Sequence, residues 1–168
     1  VIALGGGVIG DLSGFASSTY KRGLKFINIP TSTLSMIDSS IGGKTGINYQ
    51  GIKNVIGTFY QPSLVLVDFD LLNSLDQRHF NNGLVEALKM GYIYDSSILD
   101  LFDGDINQNL EEIINKSIIG KKYYVEQDEK EENIRKILNY GHTFGHGFES
   151  LGGFSSKLYH GEAVALGM

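Results

Sequence analysis

The chain of 168 residues is 42% hydrophobic and 20% charged, carries a formal net charge of -5 and contains no cysteine. It is long enough for one sizeable core or for two small domains. The negative charge gives no electrostatic basis for binding nucleic acid or an anionic membrane. The lack of cysteine excludes disulfides, thiolate metal sites and a cysteine nucleophile. No apolar run is long enough to span a bilayer and no signal peptide is visible, so we expect a cytoplasmic protein.

Both ends of the chain lie in apolar segments. Val1 opens an apolar run, and Met168 follows the apolar run 163–166. We therefore expect the sequence to be an internal part of a larger protein.

A glycine-rich turn separates the first predicted strand from the first predicted helix. Val1–Leu4 indicates a buried strand, and a helix extends to Gly23 with apolar positions at Val8, Leu12, Phe15, Ala16 and Tyr20. Strand, glycine turn and helix together present the backbone N–H groups that hold a phosphate. The spacing Gly5-x-Gly7-x-x-Gly10 matches the dinucleotide fingerprint, but the next strand, Leu24–Ile29, ends without the acidic residue that holds the adenosine ribose. The turn should therefore meet the pyrophosphate or nicotinamide end, with Asp11 as a polar contact; a tight turn without a ligand is the alternative.

A second group of polar residues follows the next predicted strand. Pro30–Thr33 should end that strand and cap a short apolar segment at 34–37. The pair Gly42-Gly43 turns the chain so that Lys44 lies near Asp38, and Lys53-Asn54 offers another cation and an amide. A P-loop is excluded because position 38 is not glycine. A further buried strand at 64–67 indicates a parallel sheet.

From about residue 74 the pattern is helical only, with helices expected at 78–93, 96–102 and 109–127. Asn82, Glu86 and Lys89 share one face of the first of these, where a surface Glu–Lys pair is the alternative interpretation. The charged connection 128–132 is expected to be solvated and to carry no site. His79 is expected on the surface, Gly152-Gly153 should break the chain, and Glu162 should complement the dipole of a last helix.

Two histidines lie on one predicted helix, at about Asn133 to Leu151. Arg135, Asn139, His142 and His146 fall at i, i+4, i+7 and i+11, which is one continuous stripe. Neutral imidazoles are common metal ligands. With no cysteine, three histidines and a glutamate predict a zinc-type site with nitrogen and oxygen ligands. Spacing alone nominates His142 and His146, and a metalloprotease is disfavoured because Thr143 follows the first histidine.

The ordered motifs of the whole chain resemble those of 3-dehydroquinate synthases. The matching segments are Gly5-Gly6-Gly7-Val8-Ile9-Gly10-Asp11, Pro30-Thr31-Ser32, Asp38-Ser39-Ser40-Ile41-Gly42-Gly43-Lys44-Thr45, Lys53-Asn54, Glu86-Ala87-Leu88-Lys89, Leu138-Asn139-Tyr140-Gly141-His142-Thr143-Phe144-Gly145-His146 and His160-Gly161-Glu162-Ala163-Val164. The resemblance implies an α/β N-terminal part with a Rossmann-like parallel sheet at 1–73, followed by an all-helical metal-binding domain at 74–168.

The resemblance also implies an activity, cofactors and a partner. It implies the NAD-dependent and zinc- or cobalt-dependent conversion of 3-deoxy-D-arabino-heptulosonate 7-phosphate, a small sugar phosphate, to 3-dehydroquinate and phosphate in the shikimate pathway. The full-length protein is expected to be a homodimer, and the 168-residue chain alone is expected to be inactive.

Site residues carried over from the resemblance fall into three sets. The metal ligands become Glu86, His142 and His160, in place of the pair nominated by spacing. The substrate phosphate is expected to contact His146, Asn139, Lys44 and Asn54. The rest of the substrate is expected to contact Lys89, Lys121, Arg135 and Asp38. Arg22 is expected to reach into the site of the partner subunit. NAD contacts are expected from Gly7, Val8, Ile9, Gly10, Asp11, Thr31, Ser32, Lys44, Lys53, Leu71, Leu72, Asn73 and Ser74.

Three other functions fit parts of the pattern. A sedoheptulose 7-phosphate cyclase would share nearly all of these motifs. A glycerol-type metal-dependent dehydrogenase would share the architecture but lack the phosphate-binding set Lys44, Asn139, Arg135 and His146, which this chain has. A non-enzymatic metal- and phosphate-binding module is the third, and the presence of all three metal ligands argues against it.

Overall fold

The computed structural model describes residues 1–151 and 158–168, and the predicted break at Gly152-Gly153 lies outside them. Within these ranges the strands are β1 (Ile2–Gly5), β2 (Ile27–Pro30), β3 (Lys44–Tyr49), β4 (Ile52–Phe59) and β5 (Leu64–Val65). The α-helices are α1 (Gly7–Thr19), α2 (Gln77–Ile93), α3 (Ser97–Asp100), α4 (Ile106–Gln127), α5 (His142–Leu151) and α6 (His160–Gly167).

A small parallel sheet with the strand order β1-β2-β5 forms the first half of the fold. The register pairs Ile2 with Ile27 and Gly5 with Pro30, so the carboxyl ends of β1 and β2 lie side by side. The N–H of Thr31 donates to the carbonyl of Gly5 over 3.0 Å, which holds the two following loops together. The predicted strand–glycine turn–helix unit is confirmed.

The burial predicted for β1 and β5 is wrong for this chain, and apolar residues of α1 are exposed as well. Ile2 is 67% exposed, and Val8, Leu12 and Leu64 are also exposed. The face of α1 that packs inward carries Gly10, Gly14 and Ser17 instead, and a Cβ on Gly14 would strike Thr45. Small residues let α1 lie directly against β3, so its apolar side chains point outward.

An antiparallel hairpin was missed by the sequence patterns. β3 and β4 pair from Lys44–Phe59 to Tyr49–Ile52, with an irregularity between Ile47 and Tyr49. Gln50 and Gly51 both have positive φ values, as the turn of a two-residue hairpin requires. The hairpin places the predicted Lys44 and Lys53 on paired strands.

The second half is helical, as predicted: among the described residues no strand follows β5. The boundaries differ by a few residues, since Asp76 caps α2 through the N–H groups of Arg78 and His79, and Asp105 caps α4 through Asn107. The core packs Met36 and Ile37 against apolar side chains of the helices, namely Leu84, Ala87, Met90, Ile98, Ile113, Ile114 and Tyr124. His79 lies on the surface, as expected, and stacks on Tyr159.

The continuous helix predicted from Asn133 to Leu151 is wrong. A 3₁₀ turn at Ile134–Asn139 is followed by a break, and α5 begins only at His142. Gly141 has a φ of 80° at the break, and a Cβ there would lie 2.6 Å from Met168 Cγ. Packing of this turn against α6 therefore separates Arg135 and Asn139 from the helix that carries His142 and His146.

No α-helix in the described ranges combines the length and the apolarity that crossing a membrane requires.

Candidate metal and anion site

Glu86, His142 and His160 converge from three different helices. One potential ligand atom from each lies within 4.8 Å of the others. The Oε1 atom of Glu86 is 3.4 Å from His160 Nε2 and 3.7 Å from His142 Nε2. The two imidazole centroids are 5.1 Å apart. One carboxylate and two imidazoles are a donor set that suits zinc or cobalt.

Close packing between α2 and α6 positions this cluster. The N–H of Gly161 donates to Asn82 Oδ1 over 2.6 Å, one turn of α2 before Glu86. A Cβ on Gly161 would overlap the carbonyl oxygen of Asn82. His142 is oriented by its Nδ1, which lies 3.2 Å from the carbonyl oxygen of Tyr140, so that its Nε2 faces Glu86. Asn82, Glu86 and Lys89 are all buried, so the alternative of a surface Glu–Lys pair is wrong.

The electrostatics of the cluster favour cation binding. Glu86 is 1% exposed, and among the described residues neither of its oxygens receives a hydrogen bond of good geometry. Burial alone would raise the pKa of Glu86, but His160 and Lys89 hold it below its usual value. Burial lowers the pKa of His142, which favours the neutral imidazole that a metal requires. Burial opposes the charged form of His160 too, but Glu86 raises its pKa.

His146 lies at the edge of this cluster rather than beside Asn139 and Lys44. Its ring centroid is 5.4 Å from that of His142 and 6.1 Å from that of His160, and its side chain is 60% exposed. The next turn of α5 carries Glu149, whose carboxylate is 3.9 Å from His146 Nε2. Glu149 was not singled out from the sequence, although it lies at i+7 from His142 and i+3 from His146.

An ion pair between Asp38 and Lys121 borders the cluster. Lys121 Nζ donates to Asp38 Oδ1 over 2.6 Å and also to the carbonyl of Asp38. Burial would raise the pKa of Asp38, but Lys121 and then Lys89 lower it well below its usual range. Burial lowers the pKa of Lys121 despite this pairing. The pair lines an open cleft of about 450 Å³ that also contains Asp11, Lys44, Asn54 and Arg135.

Glu131 lies largely buried beside the cleft, although the connection 128–132 was predicted to be solvated. It pairs with Lys44, accepts a hydrogen bond from Asn139 Nδ2 over 2.8 Å and lies 3.7 Å from Arg135 Nε. Arg135 is buried and donates to the carbonyl of Gly42 over 3.0 Å. Asp128 is buried too and accepts from the N–H groups of Glu132, Asn133 and Arg135, which explains why this connection is ordered against the cleft.

The glycine turn lies at the carboxyl edge of the sheet. Gly6 precedes α1 without a side-chain cap, and a Cβ on Gly7 would lie 3.0 Å from Ser39 Oγ. Ser32 lies beside the turn, bonded to Ser35. Asp11 accepts a hydrogen bond from Asn54 over 3.4 Å, and burial raises its pKa to about 6. The predicted Gly7, Asp11, Ser32 and Asn54 are thus brought together.

The remaining predicted residues are spread along the fold. Arg22 is exposed in a 3₁₀ turn at the opposite end of α1, about 20 Å from the glycine turn at 1.5 Å per residue. Val8 and Ile9 are exposed on α1, while Gly10 packs against Asn28. The segment Leu71–Ser74 belongs to a 3₁₀ turn in which Leu72 enters the core. Thr31 follows β2, and Lys53 lies 3.6 Å from Glu149.

These features define a class of protein: an α/β unit with a phosphate-type glycine turn, joined to helices that hold a His₂Glu cluster beside a cationic cleft. Two family models cover the chain, 3-dehydroquinate synthase N-terminal at residues 1–82 and 3-dehydroquinate synthase C-terminal at residues 83–168. The chain belongs to the 3-dehydroquinate synthase family, which confirms the resemblance of its motifs.

Curated relatives agree over the whole chain. It is 49% identical to the 3-dehydroquinate synthase of Dictyoglomus thermophilum over 175 residues and 51% identical to that of Acaryochloris marina over 178 residues. Both matches cover 100% of this chain, but 49% and 47% of the relatives. The chain therefore spans about half the length of these relatives.

Solved structures of related cyclases share the fold. A 2-epi-5-epi-valiolone synthase from Streptomyces hygroscopicus subsp. jinggangensis, solved with NAD+ and Zn2+, matches with a TM-score of 0.90 at 35% identity, covering 100% of this chain and 49% of that one. A 2-deoxy-scyllo-inosose synthase complexed with carbaglucose-6-phosphate, NAD+ and Co2+ matches with a TM-score of 0.89 at 32% identity, covering 99% and 48%.

Proposed function

We propose that this chain carries the metal- and substrate-binding centre of a 3-dehydroquinate synthase. The reaction is the NAD- and metal-dependent conversion of 3-deoxy-D-arabino-heptulosonate 7-phosphate to 3-dehydroquinate and phosphate. The observation that supports it most directly is the convergence of Glu86, His142 and His160, which are far apart in sequence.

The residues of the cluster fit a divalent cation. A buried carboxylate is costly unless cations or proton donors satisfy both of its oxygens. Lys89 contacts Oε2 of Glu86, and the Nε2 atoms of two imidazoles face its Oε1. We assign Glu86, His142 and His160 as the ligands of zinc or cobalt. When bound, the metal supplies Lewis-acid stabilisation of a substrate oxygen that loses its proton.

The cations around the cleft suit a phosphorylated sugar acid. Lys121 and Arg135 line the cleft together with Lys44, and Lys89 lies buried beside Glu86. Loss of phosphate from the substrate develops negative charge on the leaving oxygens, and positioned cations stabilise that charge. Asp38, held ionised by Lys121, offers an acceptor for a substrate hydroxyl. Asn54 adds a polar group to the same cleft. We assign His146, at the edge of the metal cluster, and Asn139, which donates to Glu131, to the substrate phosphate.

The glycine turn suits the pyrophosphate or nicotinamide end of NAD. The N-terminus of α1 lacks a side-chain cap, and its backbone N–H groups and helix dipole favour an anion. Gly7 leaves room beside Ser39 that a side chain would fill. We assign Gly7–Asp11, with Thr31 and Ser32, to the contact with NAD. We assign Arg22, at the other end of α1, to a contact with the site of a partner subunit.

A sedoheptulose 7-phosphate cyclase is the second candidate, because it would share nearly all of the motifs and because two synthases with other products match the fold with TM-scores of 0.90 and 0.89. Sequence identity favours the first candidate, because the chain is 49% and 51% identical to the two 3-dehydroquinate synthases but 35% identical to the valiolone synthase.

Chimeric enzymes distinguish the two candidate functions. The 168 residues replace the matching segment of the Dictyoglomus thermophilum enzyme in one chimera and that of the valiolone synthase in a second, and the two unaltered enzymes are the controls. We expect phosphate release from the heptulosonate phosphate with NAD, and none from sedoheptulose 7-phosphate. Release from sedoheptulose 7-phosphate alone would select the second candidate, and release without NAD would refute both.

Two chimera variants test the metal ligands. Glu86→Gln should abolish phosphate release and zinc binding, because the amide cannot supply the anionic ligand. Glu126→Gln removes a carboxylate from an exposed i,i+4 pair with Lys122 and should change neither. Unchanged zinc affinity in Glu86→Gln would contradict the ligand assignment.

A further inference from the structure

Glu149 is a buried acid that the assigned ligands leave unexplained. It is 6% exposed, although glutamate is rarely buried unless it is paired. Its place on α5 continues the face of His142 and His146, at i+7 and i+3. The helix therefore directs this carboxylate towards the metal cluster.

The contacts of Glu149 are specific. Its Oε2 atom lies 3.4 Å from His160 Nδ1 and 3.9 Å from His146 Nε2, and its Oε1 atom lies 3.6 Å from Lys53 Nζ. His160 is thus held at both ring nitrogens: Nε2 faces Glu86 and Nδ1 faces Glu149.

We propose that Glu149 is a positioning residue for the metal ligand His160. It accepts a hydrogen bond from His160 Nδ1–H, which fixes the tautomer with its free electron pair on Nε2 and fixes the ring plane towards Glu86 and His142. A carboxylate behind a metal-bound histidine orients the ring and makes its other nitrogen more basic. This inference rests on the proposed metal site.

A role for Glu149 as a direct ligand is less consistent with the geometry. Glu149, His146 and His160 also bring ligand atoms within 4.8 Å of one another, but that set contains the exposed His146. It would also require His160 to bind through Nδ1 and to leave its Nε2 against Glu86. The buried set instead places two Nε2 atoms around one oxygen of Glu86.

Zinc affinity measured on the 168-residue chain, by competition with a chromophoric chelator, tests the inference. Glu149→Gln and Glu149→Leu have similar volumes, but only glutamine keeps an acceptor for His160 Nδ1–H. Loss of such an outer partner weakens metal binding by roughly 10- to 100-fold. We expect that loss in Glu149→Leu and a loss below about threefold in Glu149→Gln.

Glu162→Gln is the matched control, because Glu162 lies on the same helix as His160 but pairs with Arg78 and caps the N–H of Tyr159. Glutamine can keep that cap, so zinc affinity should stay at the wild-type level. Glu149→Asp provides a second variant, which retains the negative charge at this position. Its shorter side chain draws the acceptor away from Nδ1, so we expect several-fold weaker zinc binding.

The visible spectrum of the Co2+-loaded chain reports ligand geometry independently of stability. Glu149→Leu should alter it and Glu149→Gln should not. Wild-type zinc affinity in both Glu149→Leu and Glu149→Asp would overturn the inference and leave the metal site intact. Loss of all zinc binding in Glu149→Gln, together with wild-type zinc affinity in His142→Asn, would show that Glu149 is itself a metal ligand. That result would also overturn the inference. No zinc binding by the unsubstituted chain would refute the metal site itself, and this inference with it.

Discussion

Replacing Asp11 by asparagine should stabilise the chain above pH 6 and leave its stability unchanged below pH 4. Burial raises the pKa of Asp11 from 3.8 to about 6, and the hydrogen bond from Asn54 offsets only part of that effect. The unfolded chain therefore loses this proton at a lower pH than the folded chain does. The stability contributed by Asp11 is present below pH 3.8 and is lost as the pH rises through about 6.

The magnitude follows from the two pKa values. Raising a carboxyl pKa from 3.8 to about 6 costs the ionised form about 3 kcal/mol, at 1.36 kcal/mol for each tenfold change in proton affinity. Asp11 is only half-buried, so solvent screening reduces the expected gain to about 1–2 kcal/mol. For a chain of this size that gain is worth a rise in Tm of about 3–6 °C.

Urea denaturation at pH 4 and pH 8 measures the effect for Asp11→Asn and for the control Asp103→Asn, which alters an exposed residue between α3 and α4. The gain should appear only in Asp11→Asn and only at pH 8. An equal gain at both pH values would show that the substitution acts through packing or hydrogen bonding rather than through ionisation. That result would refute the reasoning.

Three further substitutions test the packing and charge pairs around the site. Gly141→Ala should destabilise the chain by about 2 kcal/mol in urea denaturation, because alanine disfavours a positive φ and its Cβ would crowd Met168; no change would mean that α5 continues backwards through the break. Lys121→Met should cost about 3 kcal/mol by leaving Asp38 unpaired, and adding Asp38→Asn should recover most of that loss. Gly161→Ala should weaken zinc binding at least tenfold by pushing α6 away from Asn82, as measured by chelator competition, and wild-type affinity would show that this contact does not position His160.

The sequence predicted the helical half well because its periodicity is long and regular. The face of Asn82, Glu86 and Lys89 follows directly from 3.6-residue spacing, and the structure buries all three. The glycine turn before α1 was equally clear, since strand, turn and helix are local features. The convergence of Glu86 with His142 and His160 was expected only from the resemblance, because side chains on three helices meet through tertiary packing.

The prediction for residues 133–151 failed because spacing cannot distinguish a continuous helix from two short ones. The apolar and polar positions fit one helix, but Gly141 takes a positive φ to pack against α6. The stripe of His142 and His146 then continues to Glu149 rather than back to Asn139. Glu131 was missed for a related reason: a run of charged residues suggests a solvated connection, and only the fold shows that it faces Lys44.

The charges of the site are arranged as four lysine–carboxylate pairs. Lys44 pairs with Glu131, and Lys53 lies near Glu149; Lys89 and Lys121 pair with Glu86 and Asp38. Lys89 and Lys121 are buried, and their pairing offsets the cost of an isolated buried charge. Lys44 and Lys53 are about half exposed, so their pairs contribute less. A phosphate dianion carries more charge than a single carboxylate, so it can attract two of these lysines at once.

This pairing gives the proposed site a physical basis for choosing its substrate. An anion that enters the cleft must compete with Asp38 and Glu131 for the same ammonium groups. A monoanion offers no more charge than the carboxylate it replaces, and it leaves that carboxylate with fewer donors. A phosphate dianion offers more charge and more acceptor oxygens to Lys44, Lys121 and Arg135, which all line the cleft, so it can offset the loss of a carboxylate partner. Phosphorylated sugars should therefore bind in preference to simple carboxylic acids because the internal carboxylates exclude weaker anions.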